Sequence, residues 1–259
     1  MTSRDNNHRR RTLQQLAAVV AAIPLAGCDK LSRAPWFVRI LDAAEPVNQA
    51  IQRIVSPHAS MAREYTAADL SPDFRSNGTS APDDDDYREL AANGFADWKL
   101  EVDGFVNNPL TLSLADLKAM PARTQITRHD CVEGWSAIGQ WTGVPLAAVL
   151  AKAGLKPDAR YIVFHCADPM DEDVPDSNYY ESIGLDDALH PQTILAYGLN
   201  GRDLPVSNGA PVRLRVERQL GYKMAKYVMR IEAVASFADI GGGRGGYWED
   251  RGYEWYAGI

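Results

Sequence analysis

Short runs of alternating apolar and polar residues, unevenly spaced between residues 98 and 237, constrain this chain most. Trp98-Lys-Leu-Glu-Val-Asp-Gly104 alternates and closes on a turn. Asn108-Pro-Leu-Thr-Leu112, Gln125–His129, Tyr161–Ala167, Ile194–Leu199 and Val228–Phe237 also read as strands. A period of two over a few residues puts one face in a core and the other in water. Only short helical stretches intervene. Ser113–Met120 opens on Ser113 as an N-cap with Asp116 three residues on, Val144–Ala153 stops at Gly154 and Pro157, and a third stretch is centred on Leu185–Leu189. Strands of irregular spacing with few helices predict an α+β domain, mixed and β-rich. Asn200-Gly201 between apolar flanks predicts a hairpin.

With 259 residues, 46% apolar and 24% charged, the chain has ample core for one large domain or two small ones. Its formal charge is -7, and residues 28–259 alone carry 23 basic against 33 acidic side chains. An acidic chain without a basic stripe makes a poor nucleic-acid partner and adheres poorly to anionic lipid through charge. Three cysteines without CxxC or Cys/His spacing make neither a disulfide framework nor a zinc site.

Residues 1–27 read as an address. Arg9-Arg-Arg11 precedes a weakly apolar run, Leu16–Ala26, that is too short to span a bilayer. The paired arginines resemble a twin-arginine export signal. Leu25-Ala-Gly-Cys28 resembles a bacterial lipobox, which implies cleavage before Cys28, a lipid on its thiol and a periplasmic chain. Asp29 in the next position resembles the signal that keeps such a protein at the inner membrane. Residues 28–96 then form an anchor, a helical arm and a loop segment. Apolar residues at 36, 37, 40, 41, 44, 47, 51, 54 and 55 have helical spacing, with Pro46 expected to kink or split the helix. The stripe fits a membrane-surface helix and a helix packed on the domain equally well. Ser56–Asp86 reads as loop, its run Asp83–Asp86 as a solvated turn.

Chemistry concentrates at Arg128-His-Asp-Cys131-Val-Glu-Gly-Trp-Ser136. An isolated cysteine reads first as a buried structural thiol. A single thiolate on a short loop also suits a soft metal whose other ligands come from a cofactor. Four further words follow in order: Trp141-Thr-Gly-Val-Pro-Leu146, Gly184-Leu-Asp-Asp-Ala-Leu-His-Pro191, Asn208-Gly-Ala-Pro-Val-Arg-Leu214 and Gly221-Tyr-Lys-Met-Ala-Lys226. Together the five words resemble the sulfite-oxidase-like molybdopterin enzymes, in the branch of the periplasmic protein-methionine-sulfoxide reductases.

The resemblance covers roughly Trp98–Glu232 and implies a sulfite-oxidase-type molybdopterin-binding domain over residues 97–259, monomeric, with Cys131 as the only protein ligand of one molybdenum. It implies cofactor contacts at Asn77, Cys166, Asn208, Arg213 and the stretch Lys223, Met224, Ala225, Lys226. Arg213 and the lysines would hold the phosphate. Arg128, three residues before Cys131, is a candidate for orienting the loop or the substrate. A Cys131–Cys166 disulfide would consume the metal ligand and is not expected.

The resemblance further implies oxygen-atom transfer, with sulfoxide reduction favoured over sulfite-type oxidation, because the acidic stretch Asp168–Glu181 at the rim would repel an anion. Electrons would come from a membrane haem or quinol protein. A cofactor-free binding lipoprotein is the alternative from another class. The Gly-rich aromatic tail, Gly241–Tyr256, reads as a mobile turn whose rings pack on the domain or wall the substrate entrance.

Overall fold

The computed structural model describes residues 34–259 except 56, 58 and 172–176. The expected leader, Cys28 and the middle of the acidic stretch lie outside the described residues. The chain divides at Ile51–Gln52 into two compact units. Helix α1 (Pro35–Val55) is one helix of 21 residues that runs through Pro46, where the sequence predicts a kink or split. Among the described residues, no helix is long and apolar enough to cross a membrane.

The second unit is built on two sheets. In the first, β1 (Lys99–Gly104), β2 (Leu110–Ser113), β5 (Tyr161–Pro169), β6 (Asn178–Gly184) and β10 (Val228–Val234) lie in the order β2-β1-β10-β5-β6. The β1–β10 pair is parallel and the other pairs are antiparallel. Alternation sets the burial of β1, where Leu100 and Val102 turn inward and their neighbours do not. The central strand β5 is buried on both faces through Ile162, Val163 and Phe164, so its sequence reads as a continuous apolar run.

The second sheet joins β3 (Arg123–Cys131), β4 (Trp135–Pro145), β7 (Ile194–Leu199) and β8 (Arg202–Asp203) in that order, with β9 (Arg213–Arg215) also paired to β7. Trp141, Phe74, Ile194 and Ala196 fill a core of their own beneath it. Asn200 and Gly201, at φ 51° and 75°, make the predicted hairpin between β7 and β8. Trp141–Pro145, whose Gly143 and Pro145 favour a turn by sequence, is instead the end of β4. It pairs with β7 across a register shift between Thr142 and Gly143.

Two differences involve residues ahead of Asp97. The compact unit already begins at Gln52, and Phe74 and Tyr87 are buried within it. The acidic run is the start of a helix, not a free turn. Asp84 caps α2 (Asp85–Ala92) by accepting from the Tyr87 N–H at 2.7 Å, and Asp85 and Asp86 sit at the positive end of the helix. Ser113 and Asp116 form a reciprocal capping box on α3 (Leu114–Ala119), as the sequence predicts. Helices α4 (Leu146–Ala153) and α5 (Leu185–Ala188) complete the unit.

Candidate active site

Strands β3 and β4 meet in a tight turn in which the Gly134 N–H donates to the Cys131 carbonyl at 3.1 Å and Cys131 pairs with Trp135. This holds the Cys131 side chain, free and half-buried, at the wall of a cavity of about 280 Å³. Asn77, Gly78 and Thr79 form one side of that cavity, and Asp168 from the end of β5 another. Met224 and Lys226 line it from the loop between β9 and β10, while Tyr179, Tyr222, Trp248 and Tyr253 supply an aromatic rim. Burial pushes the Cys131 thiol above its ordinary pKa, and the Glu133 carboxylate adds to the effect. The Glu133 N–H and the guanidinium groups of Arg213 and Arg75 pull the other way.

The cationic residues divide sharply. The Lys226 ammonium donates to the carbonyls of Asn77 at 2.8 Å and Ser207 at 2.9 Å, and also to the Thr79 carbonyl, binding the 76–79 loop to the cavity. Burial and the nearby Arg213 hold its pKa down to about 7. Arg213 is fully buried one layer behind the wall. It donates to the Asn208 carbonyl at 3.0 Å and the Met224 carbonyl at 3.3 Å, and its Nε has no partner. Burial and the neighbouring Arg215 lower its pKa to about 9. Desolvated cations with depressed pKa values are what a site shows when a bound anion would stabilise them.

Of the residues singled out by sequence, Cys131, Asn77, Met224 and Lys226 line the cavity. Asn208, Arg213 and Ala225 stand behind it. Asn208 Nδ2 reaches the Phe74 carbonyl at 3.4 Å, and the Ala225 carbonyl accepts from the Leu214 N–H at 2.8 Å. Three residues are not brought to the cavity. Cys166 is buried in the core and borders a separate depression with His165 and Tyr180. Arg128 lies half-exposed at another surface depression, held by Asp130 at 2.9 Å, because a side chain three residues from Cys131 on a strand takes the opposite face. Lys223 is buried between the carboxylates of Glu181 and Glu249 and ion-paired to both, so it is not available to a phosphate.

Sequence reasoning misses two residues. By sequence Asp168 is one acidic residue of an acidic stretch, yet it is 5% exposed and faces the cavity, and its Oδ1 has no partner. Burial raises its pKa to about 7 against the opposing pull of Lys226. His129 is fully buried beneath the cavity floor, with Nδ1 2.9 Å from Arg215 Nη1 and 3.3 Å from Met224 Sδ. Its signal was available, because residues two apart on a strand share a face and His129 therefore follows Cys131. Gly221 lies against it: a Cβ there would sit 2.5 Å from the imidazole Cε1 and Nε2, so only glycine lets the 221–226 loop come this close.

The donor set fits a metal brought in by an organic cofactor. No cluster of three or more His, Cys, Asp or Glu among the described residues could hold a metal alone, so a metal at Cys131 must take its other ligands from elsewhere. Lys226 at the cavity, with the buried Arg213 behind it, supplies positive charge that suits a phosphate, and Asn77 and the Asp168 carboxyl, whose Oδ1 has no partner, suit a heterocycle edge with donors and acceptors.

Residues 89–239 match the family described as the oxidoreductase molybdopterin-binding domain. The chain belongs to that family. A provisionally named protein-methionine-sulfoxide reductase subunit, YedZ1, of Azospira oryzae is 43% identical over 68% of this chain and 60% of its own length. The protein-methionine-sulfoxide reductase catalytic subunit of Ralstonia nicotianae is 34% identical over 88% of this chain and 69% of its own length. The chain thus spans about two thirds of the length of these relatives. A crystal structure of the sulfane dehydrogenase SoxCD from Paracoccus pantotrophus is 25% identical, with a TM-score of 0.49 over 54% of this chain and 39% of that one. In this chain the Cys131 thiol, Asn77, Asp168 and Lys226 face one cavity, with Arg213 buried behind its wall.

Proposed function

We propose that this protein is a molybdenum-dependent oxidoreductase that reduces sulfoxides, protein methionine sulfoxide among them, in the periplasm. The observation that carries the reading is the single Cys131 thiol in a cavity backed by cations and rimmed by Tyr179, Tyr222, Trp248 and Tyr253. The bound molybdopterin supplies oxygen-atom transfer with a two-electron change at its metal. The chain's own residues do the rest. Cys131 fixes one molybdenum through its thiolate, and Lys226 and Arg213 neutralise the cofactor's phosphate. Reducing a sulfoxide to a sulfide and water takes two electrons and two protons, and the Asp168 carboxyl retains a proton up to about pH 7 in the cavity wall. The aromatic rim suits an uncharged sulfoxide on an apolar side chain, since sulfur groups pack well against rings.

Both relatives carry names of the methionine-sulfoxide-reductase system, which supports this substrate class. The leader words support twin-arginine export, a lipid on Cys28 and a position at the inner membrane, where a haem or quinol protein would deliver electrons. The test is metal analysis of the exported protein beside Cys131→Ser, with reduction of N-acetylmethionine sulfoxide driven by a reduced viologen dye. About one molybdenum per chain and sulfoxide turnover, both lost in the variant, are expected. A molybdenum-free wild type would leave a binding lipoprotein. Sulfite oxidation without sulfoxide reduction would overturn the substrate class.

A further inference from the structure

Along α1 the side chains of Trp36, Ile40, Val47, Ile51 and Ile54 are 57, 57, 56, 54 and 79% exposed. At about 100° per residue these five fall within roughly 60° of one another on the helix. The exposed Ala43 and Ala50 lie on the same strip. The result is a single apolar row about 27 Å long, at 1.5 Å per residue. Isolated apolar residues on a surface need no explanation, but a contiguous row of five large ones marks a contact face.

The chain itself indicates what covers it. The helix begins seven residues after Cys28, a span of at most about 25 Å. Anything attached at Cys28 therefore keeps the row within reach of a membrane surface. Residues 28–55 carry Lys30, Arg33, Arg39 and Arg53 against Asp29, Asp42 and Glu45, whereas residues 56–259 carry 19 basic against 30 acidic side chains. The body is thus repelled by anionic headgroups, whereas this segment, with Arg53 paired to Asp187, is close to neutral and is not. Trp36 stands at the end of the row nearest Cys28, and an indole favours the boundary between headgroups and acyl chains. The helix is too polar elsewhere to cross a bilayer, which leaves lying on it.

We propose that this row of α1 lies in the surface of the lipid bilayer as a second membrane contact beside the Cys28 lipid. The inference rests on the lipid-anchor reading only for the distance between the two contacts, and the test separates them.

The mature holoenzyme carrying Cys28→Ser, and so without a lipid, is floated with vesicles of phosphatidylethanolamine and phosphatidylglycerol. It is compared with the same protein carrying Ile40→Glu, Val47→Glu and Ile51→Glu, and with a control carrying leucine at those positions. Equal molybdenum content and equal dye-driven turnover show that all three are folded. The parent and the leucine control are expected to float, and the glutamate variant to partition at least about tenfold more weakly. Binding that survives about 0.5 M salt marks apolar insertion. Failure of the parent to float, binding abolished by salt, or dimerisation through the row in solution would each overturn the proposal. The intact mass of the native envelope protein reports separately whether Cys28 carries a lipid.

Discussion

At the scale of single residues, the cavity is a compromise between two ionisable groups of opposite sign. Asp168 holds its proton up to about pH 7 in the fold, against 3.8 when solvated. Between those values the folded state binds more protons than the unfolded, so this group makes the apoprotein less stable as pH rises, by up to about 1.4 kcal/mol per unit. Lys226 behaves in the opposite way. It loses its proton at about 7 when folded and at 10.5 when solvated. Over that range the unfolded state binds more protons, and stability recovers as pH rises. Subtracting the profile of Asp168→Asn/Lys226→Met from the wild-type profile is therefore expected to leave a valley centred near pH 7. Urea midpoints of the apoproteins from about pH 5 to 9 measure it, and each single variant removes one limb. A flat difference would show that the pair is not buried in this way.

The same scale shows where sequence stops being informative. Two lysines three residues apart look alike in the Gly221–Lys226 word. Only the fold brings Glu181 and Glu249, both distant in sequence, to Lys223 and leaves Lys226 at the cavity. Cys131 was legible because its neighbours form a recognisable word. Asp168 was not, because one acidic residue in an acidic stretch carries no mark of the burial that perturbs it.

At the scale of elements, alternation located β1 and β10, short apolar runs located β5 and β7, and the Ser113 box located α3, because local pattern and tertiary burial agree there. They disagree where glycine and proline sit in a paired strand, as in Trp141–Pro145, and where basic residues form a buried one, as in Arg213–Arg215. The Gly241–Gly246 run, read as mobile, is packed against β6: Gly246 bridges Glu181, and the Ser182 hydroxyl donates to the Gly245 carbonyl.

The 221–226 loop gives the sharpest test at this scale. His129 cannot retreat easily from a new methyl at Gly221, because Arg215 and Met224 hold one edge of its ring and the Trp135 ring lies 5.3 Å away. Gly221→Ala is expected to cost about 1–3 kcal/mol through overpacking. It should also lower molybdenum occupancy, since the displaced loop carries Met224 and Lys226. Thermal unfolding with metal analysis of the folded fraction checks both, and an alanine that leaves both unchanged would show that the loop is not pinned there.

At the scale of the whole molecule, the site is a product of the completed fold. Asn77, Cys131, Asp168 and Lys226 come from four separated stretches and meet only when both sheets are formed. Lys226 ties down the 76–79 loop through backbone carbonyls, so an unfolded chain offers molybdopterin nothing beyond a lone thiol. If the cofactor is inserted in the cytoplasm, the protein must then cross the membrane already folded. The twin-arginine leader proposed above would supply a route of that kind. Arg10→Lys with Arg11→Lys is therefore expected to leave molybdenum-loaded precursor in the cytoplasm and no mature protein in the envelope. A leader for unfolded export placed on the same mature chain should deliver envelope protein devoid of molybdenum. Fractionation with metal analysis reads both arms. Molybdenum-loaded protein reaching the envelope by the unfolded route would mean that the cavity can be filled after transport, and that the 76–79 and 221–226 loops open to admit the cofactor.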